Sequence, residues 1–137
     1  MNRLIGGAWL DGLDAERRTT VRTNYFLERC QQSWLAGHSD AAVEDTHEAE
    51  ALALSIGSRS RVGVARTFRG RVLLAEGYYE DAMHAYEQGM EALGAIGHTD
   101  RFSAAIYRSV CLIQLGRYED GLRLHAMACN GLRAAGR

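Results

Sequence analysis

The densest group of side chains able to do chemistry is an arginine run: Arg59, Arg61, Arg66, Arg69 and Arg71, five in 13 residues. A guanidinium presents a planar fork of donors that matches a carboxylate or a phosphate, so such a run could hold an acidic peptide or a phosphate group. A second pattern, Arg29, Arg69 and Arg108, recurs at spacings of 40 and 39 and could form a ladder along the molecule. Acidic residues stand on both sides of the run: Glu44, Asp45, Glu48 and Glu50 before it, Glu76, Glu80 and Asp81 after. Pairing between neighbouring helices is therefore the competing use of these arginines, contributing about 0 to 1 kcal/mol for an exposed pair.

Other reactive groups are sparse. His38, His47, His84, His98 and His125 include no two at a three- or four-residue step, the spacing at which a helix offers two metal ligands on one face. His47, Glu48 and Glu50 come nearest to a ligand set and read as a solvated face. Cys30, Cys111 and Cys129 are odd in number, and none forms a Cys-x-x-Cys pair. Small buried thiols in a reducing compartment are the expectation. Catalysis needs a nucleophile with a base, or paired carboxylates, in a pocket. No Gly-x-Ser-x-Gly and no phosphate-cradling loop is present; Gly70–Leu74 falls inside a helical pattern. The expectation is a non-catalytic chain without metal or cofactor.

The elements that would position these groups follow from the rest of the sequence. The chain has 137 residues and no proline, so nothing of that kind interrupts long helices, and its 15 glycines must supply the punctuation. A net charge of −1 argues against nucleic acid or an acidic membrane as the main partner. All 16 basic residues are arginine, which reads first as a compositional bias. The apolar run within Met1–Leu10 stops at Asp11, too short for a secretory core or a membrane span. A cytoplasmic protein is expected.

Three glycines, Gly37, Gly77 and Gly116, lie 40 and 39 residues apart, and each is followed 20 residues later by another, Gly57, Gly97 and Gly136. The intervening segments agree. Two residues after each anchor come Ser39, Tyr79 and Tyr118; five after, Ala42, Ala82 and Gly121; twelve after, Ala49, Gly89 and Ala128; seven before, Cys30, Gly70 and Ser109. Small residues thus recur where two helices would approach closely. Each unit reads as helix, glycine turn, helix. The first helices are expected over 16–35, 60–75 and 101–115, the second over 40–56, 80–96 and 119–135. Ala82, Tyr86, Gly89, Met90 and Leu93 follow the helical period. Ser58, and Thr99 or Asp100, are placed to cap the helices that follow them.

The stretches Leu73–Leu93 and Ile113–Leu132 resemble tetratricopeptide repeats. Gly70, Gly77, Tyr79, Ala82, Tyr86 and Gly89 carry the likeness best. Ser109, Gly116, Tyr118, Gly121, His125 and Ala128 follow, then Cys30, Gly37, Ser39, Ala42, Thr46 and Ala49. His125 takes the place of the repeat's aromatic and is expected to pack. The period is longer than the family's usual length of about 34, closer to the elongated repeats of large bacterial transcription activators. Arg29, Arg69 and Arg108 stand where the family usually has a large apolar residue. The resemblance implies an all-α fold: three stacked antiparallel helical hairpins in a short right-handed α-solenoid. One domain is expected, with an N-terminal segment over 1–14 and repeats over 15–57, 58–97 and 98–137.

A stacked array of this kind exposes a concave surface. By resemblance the first helices line it, and the residues expected to bind a protein or peptide there are Asn24, Leu27, Gln31, Trp34, Thr67, Arg71, Leu74, Ile106, Val110 and Ile113. Asn24 and Arg71 alone do not make the family's carboxylate clamp. Part of the stripe could equally be core. At one end Leu4, Ile5, Trp9, Leu10 and Leu13 could cover the first repeat. At the other, Leu124, Met127 and Leu132 on the last helix are candidates for self-association as a homodimer, or for contact with more chain. Two further readings stay open: a ligand-sensing or oligomerisation segment of a bacterial transcriptional regulator, itself without a DNA-reading helix, and a small-molecule or helical enzyme site near Trp34, Thr67, Arg71 and Ile106.

Overall fold

The computed structural model describes residues 14–94 and 100–136. It holds six helices and no strand among the described residues: α1 Ala15–Leu35, α2 Ser39–Ser55, α3 Arg59–Ala75, α4 Tyr79–Gly94, α5 Asp100–Gln114 and α6 Tyr118–Ala134. The bounds expected from sequence differ by a residue or so. The expected covering segment Leu4–Leu13, Gly97, the Thr99 cap and the end of α4 at Ile96 lie outside the described residues.

Local chemistry sets the helix ends. Asp14 starts α1 by accepting from the Arg17 amide at 2.8 Å, and the Ser58 hydroxyl accepts from the Arg61 amide at 3.4 Å at the start of α3. Four helices stop by one device. Gly37, Gly57, Gly77 and Gly116 have φ between +67° and +86°. In each case the next residue's amide reaches back to a carbonyl five positions earlier: His38 to Ser33, Ser58 to Ala53, Tyr78 to Leu73 and Arg117 to Leu112, at 2.8–2.9 Å. A left-handed residue is cheapest for glycine, and this arrangement satisfies carbonyls that would otherwise be left unbonded.

Each helix packs on the one before and the one after it, and α3 also approaches both α1 and α5. The second helices α2, α4 and α6 do not approach one another as closely. The core is shared between hairpins. Cys30 of α1, Ala42 of α2 and Val72 of α3 bury together, as do Ala53, Val62 and Ala92 of α2, α3 and α4. The largest cluster joins Ala82, Met83 and Tyr86 of α4 to Ala104, Ala105, Cys111 and Leu112 of α5 and Leu124 and Ala128 of α6. Four of its nine residues are alanine, which lets backbones approach. A methyl at Gly70 would come within 2.9 Å of the Tyr86 ring.

Two expectations for α6 are corrected here. Leu124 is 7% exposed and belongs to this core, so it is not free to join a second chain; Tyr118 at 63%, Leu122 at 63% and Met127 at 62% are the large exposed apolar side chains of that helix, with Leu132 half-buried. His125 does not pack: it is exposed. The equivalent residues Thr46 and Tyr86 are fully buried because α3 and α5 lie over them, whereas no described helix covers α6 on that side.

Candidate functional site

Of the arginine run and the periodic trio, Arg29, Arg61, Arg66, Arg69 and Arg108 tie helices together through polar contacts, whereas Arg59 and Arg71 do not among the described residues. Arg29 forks onto Asp45 of α2, Nη2 to Oδ1 at 2.6 Å and Nε to Oδ2 at 3.0 Å. Arg69, almost buried, gives Nη2 to Glu50 at 2.8 Å and Nε to the Thr46 hydroxyl at 3.0 Å. Arg108 lies 3.6 Å from Glu87 of α4. So the periodic trio pairs each first helix with a neighbouring second helix. Arg66 shares Glu50 at 3.4 Å and donates to the Gln88 carbonyl, and Arg61 donates to Asn24 at 3.1 Å, tying α3 to α1. Burial works against ionisation of Glu50, but the pull of Arg69 and Arg66 outweighs it and holds the carboxyl below its usual range.

Arg71 has no carboxylate partner among the described residues. Its guanidinium lies instead among aromatic rings, 5.6 Å from the centroids of Trp34 and of Phe68 and 5.9 Å from that of Tyr107. These rings come from α1, α3 and α5, so the arginine sits where the first helices converge. Trp34 meets Phe68 edge-on at 5.8 Å, and Tyr107 stacks on Tyr86 at 5.6 Å with planes 12° apart. Ring faces carry negative charge density, so they hold a cation without neutralising it. The N–H edges stay available to an anion.

Two cavities flank Arg71. One, about 230 Å³, is lined by Trp34, Arg71, Leu74, Ala75, Tyr86 and Tyr107. The other, about 200 Å³, is walled by Val64, Thr67, Phe68, Ser103 and Ala104, and shares Arg71, Tyr86 and Tyr107 with the first. Each is large enough for one side chain. The Tyr86 ring is fully buried at their common floor, and its hydroxyl has no hydrogen-bond partner among the described residues. Burial pushes that phenol well above its ordinary pKa, with Arg71 pulling the other way, so the group stays a neutral donor.

Of the residues expected to bind a partner, Trp34, Thr67, Arg71 and Leu74 come together here. Asn24 is committed to Arg61. Leu27, Gln31 and Val110 line neither cavity. Ile106 packs against the large core cluster, and Ile113 lies against the backbone face of Gly121 on α6. On α5 the groove side chain is Tyr107, one position from Ile106, because a single step turns a helix by about 100°. Phe68 and Tyr107 were missed, although a signal for them exists: each stands one residue before an arginine of the trio.

Elsewhere the chemistry is thin. Cys129 lies 3.8 Å from the His125 ring on the exposed face of α6, outside both cavities. Burial pushes the Cys30 thiol up to about 12 and the Cys111 thiol up to about 11, which makes both poor nucleophiles. No cluster of three metal-ligating side chains occurs among the described residues, and no helix there is long and apolar enough to cross a membrane.

The fold and groove together define a class, an all-helical chain of serially packed helices with an aromatic-lined cleft along its first helices. Comparison of the chain with protein-family models, with curated proteins and with solved structures found no match.

Proposed function

We propose that the chain is a non-catalytic interaction module of the tetratricopeptide-like type, which takes a protein or peptide segment into the groove along α1, α3 and α5. The observation that carries this reading is Arg71 at the convergence of three helices, uncompensated by any described carboxylate and flanked by two cavities. The repeated hairpins, and the closer approach of the first helices than of the second, support a curved stack with the groove inside. Serial packing with few long excursions makes a rigid scaffold, and such scaffolds present extended surfaces for peptides with apolar anchors.

The test is selection of a displayed random peptide library on the immobilised protein, repeated with Leu74→Glu. That substitution puts a charge on the wall of one cavity, a carboxylate one turn from Arg71. Enrichment on the wild type that is lost on Leu74→Glu, with an unchanged helical signal, is the expected result. Equal recovery on both proteins would place binding outside the groove.

A second reading concerns α6. Tyr118, Leu122 and Met127 are 63%, 63% and 62% exposed. This favours self-association through α6, with Met127 and Leu132 contributing. Light scattering of the wild type against Leu122→Glu and Met127→Glu reads it directly: a dimer that both changes convert to monomer supports it, and a wild-type monomer at high concentration ends it.

A further inference from the structure

Resting on the groove reading above, we infer that the segment it takes carries an acidic side chain between two apolar ones, at alternate positions of an extended chain. The argument starts from charge. The periodic arginines Arg29, Arg69 and Arg108 are all matched by carboxylates of neighbouring helices, as is Arg66, and Arg61 is bonded to the neutral Asn24 amide. Arg71 is held only by ring faces. A guanidinium whose faces meet aromatic rings keeps its in-plane donors for a planar acceptor, and a carboxylate fits that fork two-to-two. One guanidinium matches one negative charge, which favours a carboxylate over a dianionic phosphate.

The second observation is the Tyr86 hydroxyl. It is a buried donor without a partner, at the floor shared by both cavities. A buried donor left unpaired is costly, so its place beneath an unmatched cation marks where an acceptor belongs. Arg71 lines both cavities together with Tyr86, is exposed, and has ring contacts alone among the described residues, so a shift of its side chain can bring a bound carboxylate oxygen to that hydroxyl.

The third is the pair of cavities. Arg71 lines both, and each is also rimmed by apolar groups: Trp34, Leu74 and Ala75 in one, Val64, Phe68 and Ala104 in the other. At about 230 and 200 Å³ each takes one leucine- to phenylalanine-sized side chain. In an extended peptide, residues i, i+2 and i+4 face one way. An acidic residue at i+2 then meets Arg71 while its neighbours at i and i+4 fill the two cavities.

The experiment uses the full chain and an array of blocked, fluorescein-labelled pentapeptides. Serine occupies positions two and four, leucine, phenylalanine or valine the ends, and every amino acid in turn the centre. Anisotropy titrations are run on the wild type, Arg71→Gln and Tyr86→Phe. Glutamate or aspartate at the centre should bind best, and glutamine there should weaken binding by about 10- to 100-fold, the usual effect of losing a charged hydrogen-bond pair. Arg71→Gln should weaken the acidic peptides by a similar factor and leave the glutamine peptides unchanged. Added salt should weaken the acidic peptides alone. Binding indifferent to the central residue, or to Arg71→Gln, overturns the inference. If the displayed library yields groove-dependent peptides without an acidic residue, the interaction reading stands and this motif falls. If neither library nor array yields any binder, both fall.

Discussion

Tyr86→Phe should make the free protein more stable, and this follows from one atom. The Tyr86 ring is fully buried, and its hydroxyl meets no acceptor. Taking a hydroxyl out of water without giving it a partner costs about 1–3 kcal/mol. Phenylalanine keeps the ring in place, including its stack on Tyr107 and its close fit against Gly70. The substitution removes only the oxygen. The void left, roughly 10 Å³, costs about 0.2 kcal/mol at ~24 cal/mol per Å³. The balance is a gain of about 1–3 kcal/mol, and at ~3–5 °C per kcal/mol for a domain of this size the thermal midpoint should rise by about 2–14 °C. Urea denaturation followed by far-UV circular dichroism, with wild type and variant at equal m-value, measures it. A loss of stability beyond about 0.5 kcal/mol would mean that the hydroxyl has an acceptor in the free protein. The case for a donor kept waiting for a ligand would then collapse. The same variant should bind the acidic pentapeptides less well, so stability and affinity move in opposite directions. A residue whose role is structural alone would not show that divergence.

Three further outcomes follow from the same coordinates. Gly77→Ala should cost about 1–2 kcal/mol and Gly77→Asn less, read from urea midpoints, because φ is +86° there while the space around an added Cβ is open, so only the backbone conformation is penalised. Stability should fall in two stages on acidification. The His47 imidazole is depressed below 6.5 by burial and by Arg69, so the unfolded chain takes up that proton first and stability begins to drop as pH falls through 6.5; the Glu50 carboxyl is depressed below 4.5, so its contribution is complete above 4.5 and is lost as pH falls further. His47→Gln should abolish the upper stage and leave the lower, and an unchanged upper stage would refute its assignment. A maleimide reagent should modify Cys129 in the native protein while sparing buried Cys30 and Cys111, with all three reacting in urea; mass spectrometry of the labelled peptides decides it.

The helices and the turns between them were legible because those turns leave the chain little choice. A helix that must reverse within three residues needs a left-handed position, glycine fills it, and Gly37, Gly77 and Gly116 recur at one period. The small residues at Cys30, Gly70 and Ser109 were legible for the same kind of reason, since a helix crossing leaves no room for more; all three are buried. What did not come through was the facing of α5 and α6. Position eight after the anchor glycine holds Asp45, Ala85 and Leu124, which are chemically unlike and all buried. Hydrophobicity singled out Leu124 as an exposed patch; the repeat register, applied strictly, places it in the core. His125 fails in the opposite sense. It occupies the register of buried Thr46 and Tyr86, but burial there depends on the hairpin that follows. The groove face of α5 did not come through because Ile106 stands in register with Leu27 and Thr67, whereas the side chain that lines both cavities is Tyr107, in register with Phe68.

The register also explains why the groove carries its charge at one point. Position one before the arginine trio holds Glu28, Phe68 and Tyr107, and position two after it holds Gln31, Arg71 and Val110. The trio itself is spent on bonds between helices. A cation on the inner face can therefore come only from a neighbouring position, and at position two the middle repeat alone supplies one. The aromatic rings that hold it come from three helices, Trp34 from α1, Phe68 from α3 and Tyr107 from α5. Moving that arginine one repeat along should break the arrangement even though composition is conserved. In the double substitution Arg71→Val with Val110→Arg, the new guanidinium would stand beyond Tyr107 with no second or third ring to hold it. Acidic peptides should then lose affinity as far as in Arg71→Gln. If they retain it, a diffuse positive potential is responsible rather than one placed fork, and the whole argument from Arg71's position is wrong.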